Sequence, residues 1–363
     1  MPPLDIDAGV VPLTVQVCDV PSVSGEEGPL ADAVESSMRS LHGWRVLRHG
    51  NVVVARTEGR LDRRVVLAGH LDTVPVADNL PVRWEGDETS GTLHGRGTVD
   101  MKGGIAVMLR LAAAVAGHQG SLPHDLTLVF YDCEEVEATR NGLGHLVRDH
   151  PDWVVGDVAV LLEPTSATLE GGCQGTMRVE VQVDGVAAHS ARSWRGRNAI
   201  HAAADVLERL VAYQPAQVEV DGLVYREGMN AVGIRGGVAG NVVPDRCVVT
   251  VNYRFAPDKD ETSALDHLRQ LFAGYDLRVT DSSPGARPGL TDPLVESLVA
   301  AAGGQVGPKL GWTDVARFTG LGIPAVNYGP GDPELAHHDA EHVPVRQLVQ
   351  CETVLARWLG LQG

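Results

Sequence analysis

The sequence predicts an α/β fold: a mixed sheet with helices on both faces, into which a second, α+β domain is inserted. In the first half of the chain and again near its end, short apolar runs alternate with helical patterns, which is typical of a sheet covered on both faces. Between them, as in 177–183 and 249–255, apolar and polar residues alternate singly, which indicates strands with one exposed face. We therefore predict one discontinuous domain of residues 1–170 and 288–363, interrupted by a domain of residues 171–287.

Local patterns predict the elements in order. Ser24-Gly25-Glu26-Glu27 has the form of a capping box, which predicts a helix whose apolar residues step by three or four. A second helical pattern covers residues 102–116. The predicted strands of the first domain are the apolar runs 52–54, 65–68, 126–131 and 158–162, and helices of the inserted domain are predicted at about 199–213 and 260–273.

Composition argues against several classes of function. The 363 residues carry 30 Lys and Arg against 47 Asp and Glu, a net charge of −17, so we expect no nucleic-acid partner. No apolar run approaches the roughly 20 residues of a membrane-spanning helix, and the N-terminus lacks the basic start and apolar core of a signal peptide. The five cysteines form no CxxC pair, which favours a cytoplasmic location.

Potential metal ligands follow the predicted strands, and further ones lie near the end of the chain. They are His70 and Asp72 in GHLDTVP, Asp100 in GTVDMKGG, Glu134 and Glu135 in DCEEVE, Glu163 in LEPT, and His337 and His338 in AHHDAEH. Loops beyond the carboxyl ends of strands in an α/β sheet converge, so these groups can meet in space. Imidazole and carboxylate together suit zinc without any thiolate.

Spacing leaves two choices open. Glu134 and Glu135 are neighbours, so their side chains diverge, and one can bind metal while the other acts as general base. His337 and His338 are alternative ligands. Asp72, two residues after His70, is placed to accept the second N–H of that imidazole and so to orient the ring.

The motifs GHLDTVP, GRGTVDMKGG, DCEEVE, LEPT, AHSARSWRGRNAI, AGNVVPD and HHDAEH resemble, in this order, those of the co-catalytic zinc aminoacylases, carboxypeptidases and desuccinylases. The resemblance covers nearly the whole chain, and GGCQGTMRVEV, YREGMNAVGI and GWTDVARF look most similar to actinobacterial succinyl-diaminopimelate desuccinylases. It implies a zinc-peptidase-like catalytic domain and an inserted dimerisation or lid domain. The implied activity is hydrolysis of N-succinyl-LL-2,6-diaminopimelate to succinate and LL-2,6-diaminopimelate, a step of diaminopimelate and lysine biosynthesis.

The resemblance also implies a role for each candidate residue. His70 and Glu163 would be terminal ligands of one zinc, Glu135 and His337 those of the other, Asp100 the bridge, Glu134 the general base, Asp72 the orienting acid and His189 the oxyanion-stabilising histidine. It implies two Zn²⁺ per subunit, with Co²⁺ as a candidate replacement for one. The choice of His337 rests on the family pattern His-x-x-x-Glu, which Glu341 completes.

Substrate recognition is less determined. Asn241, Arg254 and Thr313 are candidates for binding the carboxylates of a small N-acyl amino acid, although Arg254 also fits the polar face of its strand. Some related desuccinylases carry an arginine where this chain has Gln174, so their mode of succinyl recognition does not transfer. Acetylornithine deacetylation and di- or carboxypeptidase activity stay open. A non-catalytic binding protein on the same fold is the alternative from another class.

We also expect a homodimer. The resemblance implies one, and residues 171–287 carry a net charge of −1 whereas the flanking residues carry −16. Association through the inserted domain therefore avoids repulsion between strongly acidic surfaces. In such a dimer, the resemblance places His189 at the metal site of the partner subunit.

Overall fold

The computed structural model describes residues 4–87 and 89–361 and divides into two compact units. Unit 1 comprises the described residues of Met1–Gly172, Pro288–Gly307 and Thr313–Gly363, and unit 2 comprises Cys173–Arg287 and Pro308–Trp312. The last of these segments was expected in the first domain. Within unit 2, Trp312 Nε1 donates to the carbonyl of Pro284 at 3.0 Å.

The helices are α1 (Val10–Cys18), α2 (Gly28–Ser40), α3 (Lys102–Gly117), α4 (Gly142–Asp149), α5 (Ala199–Ala202), α6 (Ala204–Ala212), α7 (Glu261–Leu271), α8 (Pro293–Ala301), α9 (Val315–Gly320) and α10 (Val345–Trp358). Within the described ranges, no helix combines the length and the apolar character needed to cross a bilayer.

The strands are β1 (Arg45–His49), β2 (Val52–Arg56), β3 (Arg64–His70), β4 (Arg83–Glu85), β5 (Thr92–His94), β6 (Asp125–Tyr131), β7 (Val158–Leu161), β8 (Leu169–Gly171), β9 (Gly175–Asp184), β10 (Ala188–His189), β11 (Gln217–Val220), β12 (Leu223–Arg226), β13 (Gly228–Gly236), β14 (Val242–Val243), β15 (Arg246–Phe255), β16 (Asp276–Ser283), β17 (Val306–Pro308), β18 (Ala325–Asn327) and β19 (His342–Pro344).

The large sheet of unit 1 is mixed, with the strand order β1-β2-β6-β3-β7-β18-β8-β17. Strand β3 is parallel to both β6 and β7, and β18 is parallel to β7, whereas β1, β2 and β8 pair antiparallel. Val65 and Leu67 of β3 pack into a core shared with α1, α2, α3 and α10. The intervening Val66 and Ala68 are also buried and face the opposite side, where α4 and α9 contact the sheet. The predicted sheet with helices on both faces is confirmed.

The predicted capping box is wrong, although the helix after it exists. Helix α2 begins at Gly28, and its N-cap residue Glu27 makes no side-chain cap. Ser24 Oγ instead donates to Oδ2 of Asp72 at 2.7 Å, and Glu27 Oε1 accepts from the N–H of Gly25 at 2.7 Å. These polar side chains are therefore committed to contacts outside the first turn of the helix.

Unit 2 contains a four-stranded antiparallel sheet in the order β13-β15-β9-β16. On β9 the apolar residues Met177, Val179, Val181 and Val183 are buried and alternate with more exposed polar ones. They form a core with residues of α5, α6 and α7, including Val206 and Leu268. The alternation predicted for an α+β domain with one exposed sheet face is therefore present.

Asp125, at the start of β6, is a buried carboxylate that holds the loop before β3. Its Oδ1 accepts from Thr57 Oγ1 and from the N–H of Gly59, both at 2.8 Å, and its Oδ2 accepts from the N–H of Leu61 at 3.0 Å. Burial alone would raise the pKa of this carboxyl, but the hydrogen bonds lower it below the ordinary value. The ionised form is therefore the one that stabilises the fold.

We expect Asp125→Asn to lower the free energy of unfolding by about 1.5–3 kcal/mol at pH 7, because it removes the charge from these hydrogen bonds. Since the folded pKa is depressed, this stabilisation is present above the unfolded pKa of about 4 and is lost as the pH falls through the folded value. Urea unfolding over a series of pH values measures the difference. Asp62→Asn, at an exposed residue of the same loop, is the control, and a difference that grows toward acid pH would contradict the assignment.

Candidate metal centre

The candidate ligands lie where neighbouring strands of the large sheet end. His70 is the last residue of β3, the pair Glu134 and Glu135 follows β6, and Glu163 follows β7. Because β3 runs parallel between β6 and β7, their carboxyl ends share one edge of the sheet. Strand β19 pairs with β5 and ties the loop of His337 to the segment that precedes Asp100.

Asp100 lies between two imidazoles and offers one oxygen to each. Its Oδ1 is 3.0 Å from Nε2 of His70, and its Oδ2 is 3.4 Å from Nε2 of His337. His337 Nε2 also lies 2.8 Å from Oε2 of Glu135. Ligand atoms of His70, Asp100 and Glu135 all lie within 4.8 Å of one another. This is the arrangement expected of a carboxylate that joins two cation positions.

The charges of this cluster depend on one another. Burial would lower the pKa of His70, but the hydrogen bonds with Asp100 and Asp72 raise it well above the ordinary value. The carboxylates of Asp100 and Glu135 raise the pKa of His337 to about 10. The two imidazoles in turn hold the pKa of Asp100 below its usual range, against the effect of burial. The carboxylates therefore stabilise positive charge on the two imidazoles. A divalent cation bound by the same imidazole nitrogen atoms would supply that charge instead of the protons.

Asp72 is fully buried and has more partners than the single imidazole expected. Its Oδ1 accepts from the N–H of Glu134 at 2.9 Å, and its Oδ2 accepts from the N–H of Glu135 at 3.0 Å. The Nδ1 atom of His70 is 2.9 Å from the main-chain carbonyl of Asp72 but 3.5 Å from its carboxylate. Asp72 thus orients the ring mainly through its backbone, while its carboxylate holds the loop of the two glutamates.

Glu134 and Glu163 lie in a strongly acidic environment. Burial raises the pKa of Glu134 well above its ordinary value, and the negative charges of Glu163 and Asp314 raise it further. Glu163 is itself buried. Asp314 was not among the predicted site residues; it is fully buried and accepts from Nδ2 of Asn141 at 2.9 Å. Its position directly after the candidate Thr313 in GWTDVARF could have identified it as a site residue.

Glu341 is a second residue whose role the sequence did not reveal, although it was part of the His-x-x-x-Glu pattern. Its Oε1 accepts from the N–H groups of Val99 and Asp100 at 2.9 and 3.2 Å, and its Oε2 lies 2.8 Å from Nη1 of Arg96. Both charged side chains of this ion pair are buried. Glu341 therefore fixes the backbone that carries Asp100.

Unit 2 carries other candidate residues and brings two of their motifs together. Strand β10 pairs with β14, which places His189 opposite Val242, and the N–H of Ser190 donates to the carbonyl of Asn241 at 2.9 Å. His189 and Asn241 are both exposed. The Nδ1 atom of His189 accepts from the N–H of Ala191 at 3.1 Å, so Nε2 is the nitrogen that carries the proton in the neutral ring.

The remaining candidates for substrate binding differ in their surroundings. Thr313 is buried, and its Oγ1 donates to Oδ1 of Asn327 at 2.9 Å. Arg254 is half-buried on β15. Gln174, which replaces the arginine of some relatives, is buried and donates from Nε2 to the carbonyl of Arg226 at 2.8 Å. Thr313 and Gln174 thus both take part in contacts within their own units.

The donor set fits a divalent metal of borderline softness. Imidazole nitrogen and carboxylate oxygen are ligands that Zn²⁺ and Co²⁺ accept, and the first donor group, His70, Asp100 and Glu135, contains no thiol. A second donor group consists of Glu27, Asp132 and Cys133. It does not contain the predicted ligands of either zinc.

We expect Glu341→Ala to lower the free energy of unfolding by about 3–5 kcal/mol, because it leaves the charge of Arg96 buried without its carboxylate. Urea unfolding in the presence of a chelator separates this effect from metal binding. Glu334→Ala, at an exposed acid of the same loop, is the control. If Glu341→Ala and Glu334→Ala lowered the free energy of unfolding equally, the buried ion pair would not be needed for stability.

Comparison with known proteins agrees with this geometry. The model of peptidase family M20/M25/M40 matches residues 66–360. A Mycobacterium tuberculosis protein, provisionally named succinyl-diaminopimelate desuccinylase DapE, is 53% identical over 360 residues, which cover 98% of this chain and 99% of that protein. The succinyl-diaminopimelate desuccinylase of Corynebacterium glutamicum is 45% identical over 367 residues, which cover 99% and 98%.

The fold is also that of a solved structure. The M20 family metallo-carboxypeptidase Sso-CP2 of Sulfolobus solfataricus superposes with a TM-score of 0.76 at 16% identity, over 97% of this chain and 98% of that one. At that identity the likeness concerns the fold alone, whereas the family match covers most of the chain. The chain therefore belongs to peptidase family M20/M25/M40.

Proposed function

We propose that this protein hydrolyses N-succinyl-LL-2,6-diaminopimelate to succinate and LL-2,6-diaminopimelate. The observation that carries the proposal is the identity of 53% and 45%, over nearly the whole chain, to two proteins named for this activity. The cluster of His70, Asp100, Glu135 and His337 provides a site where such chemistry can occur. The reaction places the enzyme in the biosynthesis of diaminopimelate and lysine, and we infer a cytoplasmic location from that role.

Two Zn²⁺ ions per subunit are part of the proposal, with Co²⁺ able to replace one. His70 and Glu163 would hold the first ion, Glu135 and His337 the second, and Asp100 would join them. What supports this division is that the two oxygens of Asp100 face different imidazoles. When bound, a zinc pair lowers the pKa of a water molecule and polarises the carbonyl of the substrate.

Glu134 is the proposed general base. Its backbone is held by Asp72, and among the described residues its side chain is not part of the donor group of His70, Asp100 and Glu135. The raised pKa of Glu134 suits a carboxyl that accepts a proton from the attacking water and then passes it to the leaving nitrogen. We propose that His189 donates a hydrogen bond to the oxyanion and that Asn241 and Arg254 bind substrate carboxylates.

The function is tested by turnover on succinyl-diaminopimelate, acetylornithine and dipeptides, before and after removal of metal by a chelator. We expect the first substrate to have the highest kcat/KM, with activity lost on chelation and restored by Zn²⁺. Preference for acetylornithine or a dipeptide would assign another activity of the same family. A protein that binds no stoichiometric zinc and hydrolyses none of the three would be a binding protein.

We expect Glu134→Gln to retain both metal ions and to lower kcat by about 10²–10⁴-fold, because the base is removed while the ligands stay. Metal analysis and steady-state kinetics measure the two effects separately. Glu137→Gln, at an exposed acid three residues away, is the matched control. Loss of one metal ion from Glu134→Gln, with both retained in Glu135→Gln, would exchange the two assignments.

The homodimer is proposed to form through unit 2. Strand β13 lies at the edge of the four-stranded sheet, and its residues Val232 and Ile234 are 57% and 54% exposed. An apolar, unpaired strand edge can be covered by the same strand of a second copy. The near-neutral charge of residues 171–287 permits such an approach.

We further propose that His189 serves the site of the partner subunit. His189→Ala should lower kcat by about 10²–10³-fold without loss of zinc. When it is mixed with Glu134→Ala and the subunits exchange, one site of each mixed dimer has both residues intact, so part of the activity should return. Verified heterodimers that regain no activity would show that His189 serves its own subunit. Two separately tagged variants make the heterodimer measurable.

A further inference from the structure

Ser24 and Glu27 form no capping box, and both contact loops that carry residues of the proposed site. Ser24 Oγ donates to the carboxylate of Asp72 at 2.7 Å. Glu27 Oε1 accepts from the N–H of Cys133 at 3.3 Å. The segment before helix α2 thus joins the loop after β3 to the turn after β6, and neither Ser24 nor Glu27 has a part in the reaction described above.

The turn after β6 directs three consecutive backbone N–H groups at two buried carboxylates. The N–H of Cys133 donates to Glu27, and those of Glu134 and Glu135 donate to the two oxygens of Asp72. Cys133 has a φ of 56°, in the left-handed region that residues other than glycine seldom adopt. Successive N–H groups in such a turn form a concave anion-binding site, which here is filled by side chains of the same chain.

We propose that Glu27 is a positioning residue for the two glutamates that follow Cys133. By accepting a hydrogen bond from the N–H of Cys133, it holds the left-handed turn that precedes Glu134 and Glu135. This turn directs Glu134 to its proposed role as general base and Glu135 to its proposed role as metal ligand. Glu27 is fully buried, and its Oε1 also accepts from the N–H of Gly25 at 2.7 Å, so the carboxylate is fixed from two sides. The inference rests on the proposed function, because the roles of base and ligand come from it.

A third cation is the alternative use of the same groups. Donor atoms of Glu27, Asp132 and Cys133 lie within 4.8 Å of one another, and among the described residues Oε2 of Glu27 has no hydrogen-bond partner. However, Nη2 of Arg140 lies 3.9 Å from the sulfur of Cys133 and already brings positive charge to this cluster. The hydrogen bond to the backbone of the turn is therefore the better supported role of Glu27.

The test compares Glu27→Ala and Glu27→Met with Glu27→Gln. The first two remove the acceptor, and Met keeps most of the side-chain volume, so it serves if the Ala variant does not fold. Gln keeps Oε1 as an acceptor and should rescue the turn. Glu26→Ala removes an exposed acid from the same loop and is the matched control. The measurements are kcat, KM and zinc affinity by competition with a chelator.

We expect the Ala and Met variants to lose about 10–100-fold in kcat and in affinity for the more weakly held zinc, with KM close to that of the wild type. Glu27→Gln and Glu26→Ala should stay within a few-fold of the wild type in both. A purely structural role would lower the melting temperature but leave kcat and zinc affinity of the folded protein unchanged. That result would overturn the proposal, and so would an equal loss in Glu27→Gln.

Metal counting separates the remaining outcomes. We expect the wild type and Cys133→Ala to bind the same number of zinc ions. One ion fewer in Cys133→Ala would overturn the proposal by showing that the cluster is a cation site. Failure of the wild type to hydrolyse succinyl-diaminopimelate would count against the proposed function alone, since the zinc-affinity series needs no substrate.

Discussion

The crowding of carboxylates at one edge of the sheet is the constraint on which the rest of unit 1 depends. Asp72 and Glu341 are fully buried or nearly so, and the side chains of Asp100 and Glu135 are only 13% and 6% exposed. A buried charge costs several kcal/mol unless other groups compensate it. The local structure is largely an arrangement of such compensating groups.

Two kinds of compensation divide these carboxylates into two classes. Asp72 and Glu341 are matched by backbone N–H groups, and Glu341 also by the guanidinium of Arg96. These donors are permanent, so these residues serve as a scaffold. Asp100 and Glu135 face imidazoles instead, and the nitrogen atom that carries a proton there can carry a metal ion. An acid that faces an imidazole at this distance is placed to share a cation with it, as we propose for Asp100 and Glu135.

Much of the fold could be predicted from the sequence, because the pattern of apolar and polar residues along a segment reflects which of its residues are buried. The apolar runs at 65–68 and 126–131 became β3 and β6. Because these strands are parallel, candidate ligands that are distant in the sequence lie at the same edge of the sheet. The helix pattern at 102–116 became α3 for the same reason. A continuous apolar run predicts a strand that is covered on both faces, and the residues of 65–68 and 126–131 are all buried.

Side-chain partners could not be predicted in the same way, because they depend on tertiary contacts. The capping-box pattern describes a local choice, but Ser24 and Glu27 have stronger competitors in Asp72 and the turn at Cys133. The carboxylate of Asp72 was expected to bind one imidazole, yet it accepts two backbone N–H groups from the turn after β6. Thr313 was a substrate candidate on sequence grounds, and its hydroxyl is used by Asn327. No spacing rule contains this information.

The insertion of unit 2 has a consequence for the order in which the protein can mature on the ribosome. Strand β18 lies between β7 and β8 in the large sheet, although it is synthesised after the whole of unit 2. His337 is synthesised after β18, and α10, which packs against α3, follows His337. A nascent chain that ends within unit 2 therefore lacks β18 of its central sheet and lacks one of the five proposed ligands, His337. The proposed metal site can therefore be completed only after unit 2 and the segment that carries His337 have been synthesised.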